Sequence, residues 1–267
     1  MTAILERSFA VLEHLVSHPD GRALSELSVE LGMPLSATHR LLNDLISHGY
    51  VRQHPGHGQY LLTFKLVSLG LSYLTSSGIV DIAQPALDEL ARTSGELVRL
   101  AVVDGNELTF VAKAQGARAG LRYDPDMGLS VNLACSAAGH AWLSMMGGDE
   151  LATRVTAQGF GTSDEFGPNA PRQLKQLMPF VRAARKRGFA LIEEVFAPGM
   201  GSIGAPVIGP RGGVIGVVTV AGPLVRFTRQ KMLDTGPALL VAARDVALAS
   251  GSSAMFNRMS SPSTARR

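Results

Sequence analysis

Residues 24–62 constrain this chain more than any other stretch. Leu24, Leu27 and Leu31 space the apolar face of a short helix. Gly32 ends it, because glycine takes the left-handed C-terminal conformation at no steric cost. Met33-Pro34 turns the chain, and Pro34 suits the first turn of a following helix. In that helix Thr38, Leu41, Leu42, Leu45 and Ile46 recur with the i, i+3, i+4, i+7, i+8 spacing of one buried stripe. The opposite face holds Ser36, Ala37, His39, Arg40 and Asn43, all short or hydrogen-bonding. After Gly49, Tyr50-Val51-Arg52-Gln53 alternates as a strand, His54-Pro55-Gly56-His57-Gly58 is a dense turn, and Gln59-Tyr60-Leu61-Leu62 returns as a second strand. Helix, turn, helix and hairpin in this order read as a winged helix-turn-helix. Its second helix has the polar face and apolar back that docking in a major groove requires. Ser25, Ser36, Ala37, His39, Arg40, Asn43, Arg52 and His57 are the residues expected to face DNA.

The charge balance opposes this reading. Residues 1–62 carry four basic side chains (Arg7, Arg22, Arg40, Arg52) against six acidic ones, a net −2, whereas the remaining 205 residues carry a net +5. Phosphate binding favours a basic excess. Six of the seven histidines also lie in residues 1–62, and histidine gains positive charge just below neutral pH. A modest, salt-sensitive affinity per subunit follows, made useful by dimerisation.

The rest of the chain is patterned around this unit. Residues 3–17 form an amphipathic helix with Ile4, Phe9, Val11, Leu12, Leu15 and Val16 apolar. Residues 63–77 form a helix capped by Thr63, apolar nearly all round and so expected to be buried between domains or subunits. From Ile79 the pattern mixes helices and strands. Helices are expected near 80–93, 136–146, 171–187 and 229–250, and strands near 97–103, 108–114, 119–123, 189–195, 202–207 and 214–221. Hairpin turns at Asp104-Gly105-Asn106 and Gly209–Gly213 point to an antiparallel sheet flanked by helices, hence an α+β chain. The Ser-, Pro- and Arg-rich residues 251–267 read as a disordered tail. The expected organisation is a winged helix-turn-helix at 1–62, a linker helix at 63–77, an effector-binding and oligomerisation domain at 78–250, and the tail.

Composition and motifs narrow the chemistry. The sequence lacks a run of about 18 uninterrupted apolar residues, so no membrane span is expected. The early acidic residue and missing apolar segment of Met1–Arg7 argue against a signal peptide, and the single Cys135 suits a reducing, cytoplasmic setting. Cys135 beside His140 at a helix start suggests a nucleophile, but a lone cysteine is more often a small buried apolar residue. One Cys without clustered His falls short of a zinc set, so no metal and no cofactor are expected. Adjacent Glu193 and Glu194 point to opposite faces of a strand and do not converge on a substrate. Gly199, Gly201 and Gly204 lack the Lys-Ser/Thr of a phosphate loop. Arg182, Arg185, Lys186 and Arg187 read as a solvated helix end, and Trp142 as core.

Several motifs together resemble the IclR family of transcriptional regulators. They are Glu6-Arg7-Ser8-Phe9-Ala10-Val11-Leu12, Leu24-Ser25-Glu26-Leu27, Met33-Pro34-Leu35-Ser36-Ala37-Thr38-His39-Arg40-Leu41-Leu42 and His48-Gly49-Tyr50-Val51 in the first part. Ala134-Cys135-Ser136-Ala137-Ala138-Gly139-His140-Ala141, Arg187-Gly188-Phe189-Ala190, Phe196–Val207 and Val220-Ala221-Gly222-Pro223 follow in order. The family often has a basic residue where this chain has Leu35, and Thr where it has Ala37, which bears on the bases read.

The resemblance implies a non-enzymatic, one-component regulator, a repressor by expectation, working as a homodimer or dimer of dimers on a palindromic operator. It also implies a GAF- or PAS-like effector domain. Carried over by motif, the small-molecule pocket is lined by Tyr123, Val131, Ala137, Ala138, Ile192, Met200, Ser202, Thr219 and Ala221. Ile192, Met200 and Tyr123 make that lining apolar, which favours an aromatic or otherwise largely apolar metabolite with one polar end. The competing expectation is an enzyme or small-molecule sensor on a GAF-like domain, with the N-terminal unit a protein-interaction module.

Overall fold

The computed structural model describes residues 2–125, 127–128, 130–162 and 164–253, so the expected tail lies outside the described residues from residue 254 onward. The chain divides into two compact units, one ending at Tyr73 and the other beginning at Leu74.

The first unit opens with α1 (Thr2–Val16), α2 (Leu24–Glu30) and α3 (Leu35–Ser47), followed by the hairpin β1 (Val51–Gln53) and β2 (Tyr60–Leu62). The strands pair antiparallel with Arg52 opposite Leu61, and Arg22 adds a backbone bridge to Tyr60. A small core gathers Val11, Leu15, Leu27, Leu42, Val51 and Tyr60. The apolar stripe of α3 sorts as its spacing demands, with Thr38, Leu41, Leu42 and Leu45 buried. The Thr38 hydroxyl donates to the Pro34 carbonyl (3.1 Å), so its polar atom costs the core little. On α1 the sorting is less complete. Val11 and Leu15 are buried, while Ile4, Leu5, Phe9 and Val16 are exposed.

Next comes α4 (Lys65–Ser77). Thr63 caps it, accepting the Lys65 N–H (3.2 Å) and donating to the Gly49 carbonyl (2.5 Å). Among the described residues its Val67, Leu69, Leu71 and Tyr73 are all exposed, while Leu66 and Leu74 are half-buried. The burial expected from its all-round apolarity is therefore not met at these positions among the described residues. Among the described residues no single helix is long and apolar enough to cross a membrane.

The second unit runs α5 (Ile79–Ser94), β3 (Leu97–Asp104), β4 (Glu107–Gln115), α6 (Ala137–Leu143), α7 (Gly148–Gln158), α8 (Leu174–Arg187), β5 (Ala190–Glu193), β6 (Met200–Ile208), β7 (Val214–Pro223) and α9 (Arg229–Ala249). The strands form one antiparallel sheet in the order β4-β3-β7-β6-β5. Period-two alternation sorts its side chains into two cores. Val98, Leu100, Ile203, Ala205, Val218 and Val220 pack with α5 and α9 on one face. Ala101, Ala190, Ile192 and Val217 pack with α6 and α8 on the other. Gly204 lets α6 approach this second face, since a Cβ there would lie 2.8 Å from the Ala137 carbonyl oxygen.

Two sequence expectations need correction. Residues 119–123 form no strand. Side chains hold this segment instead: Arg226 donates to the Leu121 carbonyl (2.6 Å) and Gln115 to the Tyr123 carbonyl (3.1 Å). Nor is the end of α8 merely solvated. Arg185 donates to the Ser144 and Met146 carbonyls (2.9 and 2.7 Å), fastening α8 to the end of α6.

Candidate functional site

Two surfaces carry the chemistry, one in each unit. In the first, α3 presents Ser36, His39, Arg40 and Asn43 to solvent, with Ala37 half-buried among them. Asn43 and His39 are linked side chain to side chain (3.4 Å), whereas Arg40 has no hydrogen-bond or ion-pair partner among the described residues. Ser25 on α2, Arg52 on β1 and His57 at the hairpin tip are also exposed. The tip is built from within: Gln53 donates to the Gly58 carbonyl (2.9 Å), and the His54 and His57 rings meet at 3.8 Å between centroids. The Glu26 carboxylate accepts the Ala23 N–H (2.8 Å), and Glu30 takes His14 (2.6 Å) and Arg22 (3.5 Å). These acidic residues are committed to the scaffold, although the net charge of residues 1–62 stays at −2.

The second unit holds a cavity of about 100 Å³ on the α6 face of the sheet. A single water needs only ~10–15 Å³ on this measure, so the space admits a small molecule. All nine residues expected around a pocket line this one cavity. Ile192 of β5, Met200 and Ser202 of β6, and Thr219 and Ala221 of β7 form its floor, Ala137 and Ala138 its wall, and Val131 and Tyr123 come from the long β4–α6 connection. Strand register explains the floor, because Ile192 pairs with Ser202, Ser202 with Ala221, and Thr219 with Arg99. Directly paired residues of antiparallel strands share a face.

The polar groups of this lining are largely spoken for. Ser202 donates to the Val220 carbonyl (3.0 Å) and Thr219 to the Arg99 carbonyl (3.4 Å). Ser136 caps α6 by accepting the Gly139 N–H (3.0 Å) while donating to the Asn132 carbonyl (2.6 Å). The Gly139 N–H, in the first turn of α6, is thus already used.

Pattern reading missed the most distinctive lining residue, Arg99 on β3. It is 8% exposed and its guanidinium lies 3.7 Å from the Phe110 ring centroid. Its Nε, buried, finds no hydrogen-bond acceptor among the described residues. Burial holds its pKa below the ordinary arginine value, with Tyr123 and Asp124 partly offsetting this. Burial also pushes the Tyr123 hydroxyl up, offset by Arg99. Asp124 is engaged by Lys113 (2.7 Å). The signal was present in the sequence, as one charge inside the apolar run Leu97-Val98-Arg99-Leu100-Ala101-Val102-Val103.

Other candidates take no part in a reactive arrangement. Cys135 is buried, its Sγ–H directed to the Phe160 carbonyl (3.2 Å), and burial pushes its thiol up to about 11, away from the reactive thiolate. Trp142 is buried in the α6–α8 core. Glu193 is paired with Arg229, and Glu194 accepts the Gly199 N–H (3.0 Å). The described residues include no group of three or more His, Cys, Asp or Glu able to hold a metal ion.

Comparison with known proteins places both units. The model of the bacterial transcriptional regulator IclR C-terminal domain matches residues 71–248, and that of the IclR helix-turn-helix domain matches residues 4–55. The chain is 26% identical over 247 residues to the HTH-type transcriptional repressor AllR of Escherichia coli K12, spanning 92% of this chain and 90% of that protein. Its fold is that of the Thermotoga maritima IclR structure (TM-score 0.73, 24% identity, 94% of this chain and 100% of that one). It is also that of an IclR homologue from Microbacterium hydrocarbonoxydans complexed with 4-hydroxybenzoate (TM-score 0.77, 19% identity, 94% of this chain and 100% of that one).

Proposed function

The chain belongs to the IclR family of bacterial transcriptional regulators, and from that premise we propose a one-component repressor that reads a palindromic operator and answers to a small metabolite. The observation that carries the reading is α3, whose apolar back is buried and whose Ser36, His39, Arg40 and Asn43 stand exposed with a two-stranded wing following. In this assignment residues 1–62 form the DNA-binding domain, residues 63–77 a linker helix, and residues 78–250 the effector-binding and oligomerisation domain. Ser25, Ser36, Ala37, His39, Arg40, Asn43, Arg52 and His57 are its DNA-facing set. Two copies, or a dimer of dimers, suit a palindromic site. The exposed apolar faces of α1 and α4 are the surfaces that self-association would cover. A DNA-binding regulator of this kind works in the cytoplasm.

The cavity of the second unit is the effector site in this reading, and its lining suits an aromatic or largely apolar metabolite. A ligand controls DNA binding only if it has different affinities for the DNA-competent and incompetent states. Repression is the sign favoured by the resemblance to AllR. Footprinting on the DNA flanking its own gene tests the assignment. Salt-sensitive protection of a symmetric segment is expected. Affinity no greater than for unrelated DNA at any salt concentration would overturn it.

A further inference from the structure

A buried guanidinium needs a reason. Arg99 arises from the central part of the sheet with its side chain on the cavity face, opposite Thr219 in register. A cation removed from water is costly unless it is paired and hydrogen-bonded. Among the described residues no carboxylate pairs with Arg99, and its Nε is orphaned. Phe110 covers its guanidinium plane, which leaves the edge for in-plane hydrogen bonds. The Nε–H and one Nη–H of an arginine form a fork that matches the two oxygens of a carboxylate.

We propose that Arg99 is the anion anchor of the cavity, and that the effector is a small aromatic monocarboxylate whose carboxylate binds the Arg99 fork. This rests on the reading of the cavity as the effector site. The body of such a ligand meets Phe110, Ile192, Phe196 and Met200, all apolar. A single cation inside an apolar wall neutralises one negative charge, so a phosphate dianion would leave charge buried without compensation. Ser202 and Thr219 already donate their hydroxyl hydrogens to carbonyls, so they face the cavity as acceptors and do not compete for the anion. They suit a donor group elsewhere on the ring instead.

The probes are benzoate and its neutral near-isostere benzamide, titrated by calorimetry into the full-length wild type, Arg99→Met and Ala138→Leu. Wild type should bind benzoate at least about tenfold more tightly than benzamide, the scale of a charge-assisted hydrogen-bond pair. Arg99→Met should lose that preference. Its ligand-free form should melt no lower than wild type, because an unpaired buried charge has been replaced by an apolar side chain of similar length. Melting well below wild type would mark Arg99 as a structural residue and overturn the proposal. So would equal binding of the two probes by wild type, or a retained benzoate preference in Arg99→Met. Ala138→Leu fills the cavity and separates the two layers of inference. Undiminished benzoate binding in that variant removes the cavity as the effector site altogether. Loss of binding there, with the preference kept in Arg99→Met, removes only the role of Arg99.

Discussion

In the proposed reading, the DNA-facing surface and the effector cavity reach specificity by opposite routes. On α3 the recognition side chains are exposed, and Arg40 is solvated and uncommitted. Their scaffold is a small core under one helical stripe. In the cavity the proposed recognition group is walled in, and Arg99 loses most of its water to burial. An exposed cation gains little from one contact and is screened by salt. A buried one gains a great deal from the right partner and is penalised without it. Affinity in the first unit therefore adds up from many weak contacts, while discrimination in the second concentrates in a few groups.

Substitutions should divide along the same line. The largest effect is expected from Leu42→Ala, because Leu42 is fully buried in the core of the unit that ends at Tyr73. Such truncations cost about 2–5 kcal/mol. A domain of that size rarely holds more than about 3–5 kcal/mol in reserve. DNA binding should be lost in gel shifts while the second unit keeps its own melting transition. Simultaneous loss of both transitions would mean that the units are not separable.

Next in size is a pH effect confined to the second unit. His140 is fully buried, its Nε2–H donating to the Ala134 carbonyl (2.6 Å) and its Nδ1 without a partner. Burial pushes its pKa down to about 4. An unfolded chain takes up this proton near pH 6.5, while the native state resists until about pH 4. Stability is therefore whole above pH 6.5 and falls as the pH drops from 6.5 to 4, by about 3 kcal/mol in full. Denaturant melts across that range should show the slope, and His140→Gln should flatten it.

Arg40→Ala should weaken operator binding by about 1–3 kcal/mol without unfolding, since the side chain is exposed and holds no other group. Unchanged affinity in a gel shift would mean that α3 does not dock as described. The smallest effect belongs to Ser202→Ala. Loss of one hydrogen bond should raise the effector concentration for half-response by the equivalent of about 0.5–1.5 kcal/mol. A change of a hundredfold would give Ser202 more weight than one neutral hydrogen bond carries.

How legible these regions were in the sequence follows from the same physics. The stripe of α3 and the Gly/Pro tip of the wing are local signals, and the elements formed where they were expected. The strands of the second unit were legible because each is bounded by turn residues. By contrast α7 was overlooked. Leu151 and Val155 alone mark its buried face, although Asp149 and Glu150 in its first turn are favourable at a helix start. The mistaken strand at 119–123 shows the converse limit, since Arg226 and Gln115 satisfy its carbonyls from outside the local sequence. The cavity residues came from family motifs, not from any period. Arg99 escaped both routes, because a strand pattern gives its face but not its missing partner. The exposed apolar surface of α4 lies beyond what a single chain resolves.

Operator affinity measured with and without the ligand that shifts the wild type, in Arg40→Ala and in Ala138→Leu, tests the division most directly. Ala138 lines the cavity, and three added carbons should fill it at a stability cost of about 1–3 kcal/mol. Arg40→Ala should lower affinity in both conditions and keep their ratio. Ala138→Leu should keep the ligand-free affinity and bring the ratio to one. A folded Ala138→Leu protein with a normal ratio, or an Arg40→Ala protein with wild-type affinity, would contradict the separation of DNA reading and effector binding between the two units.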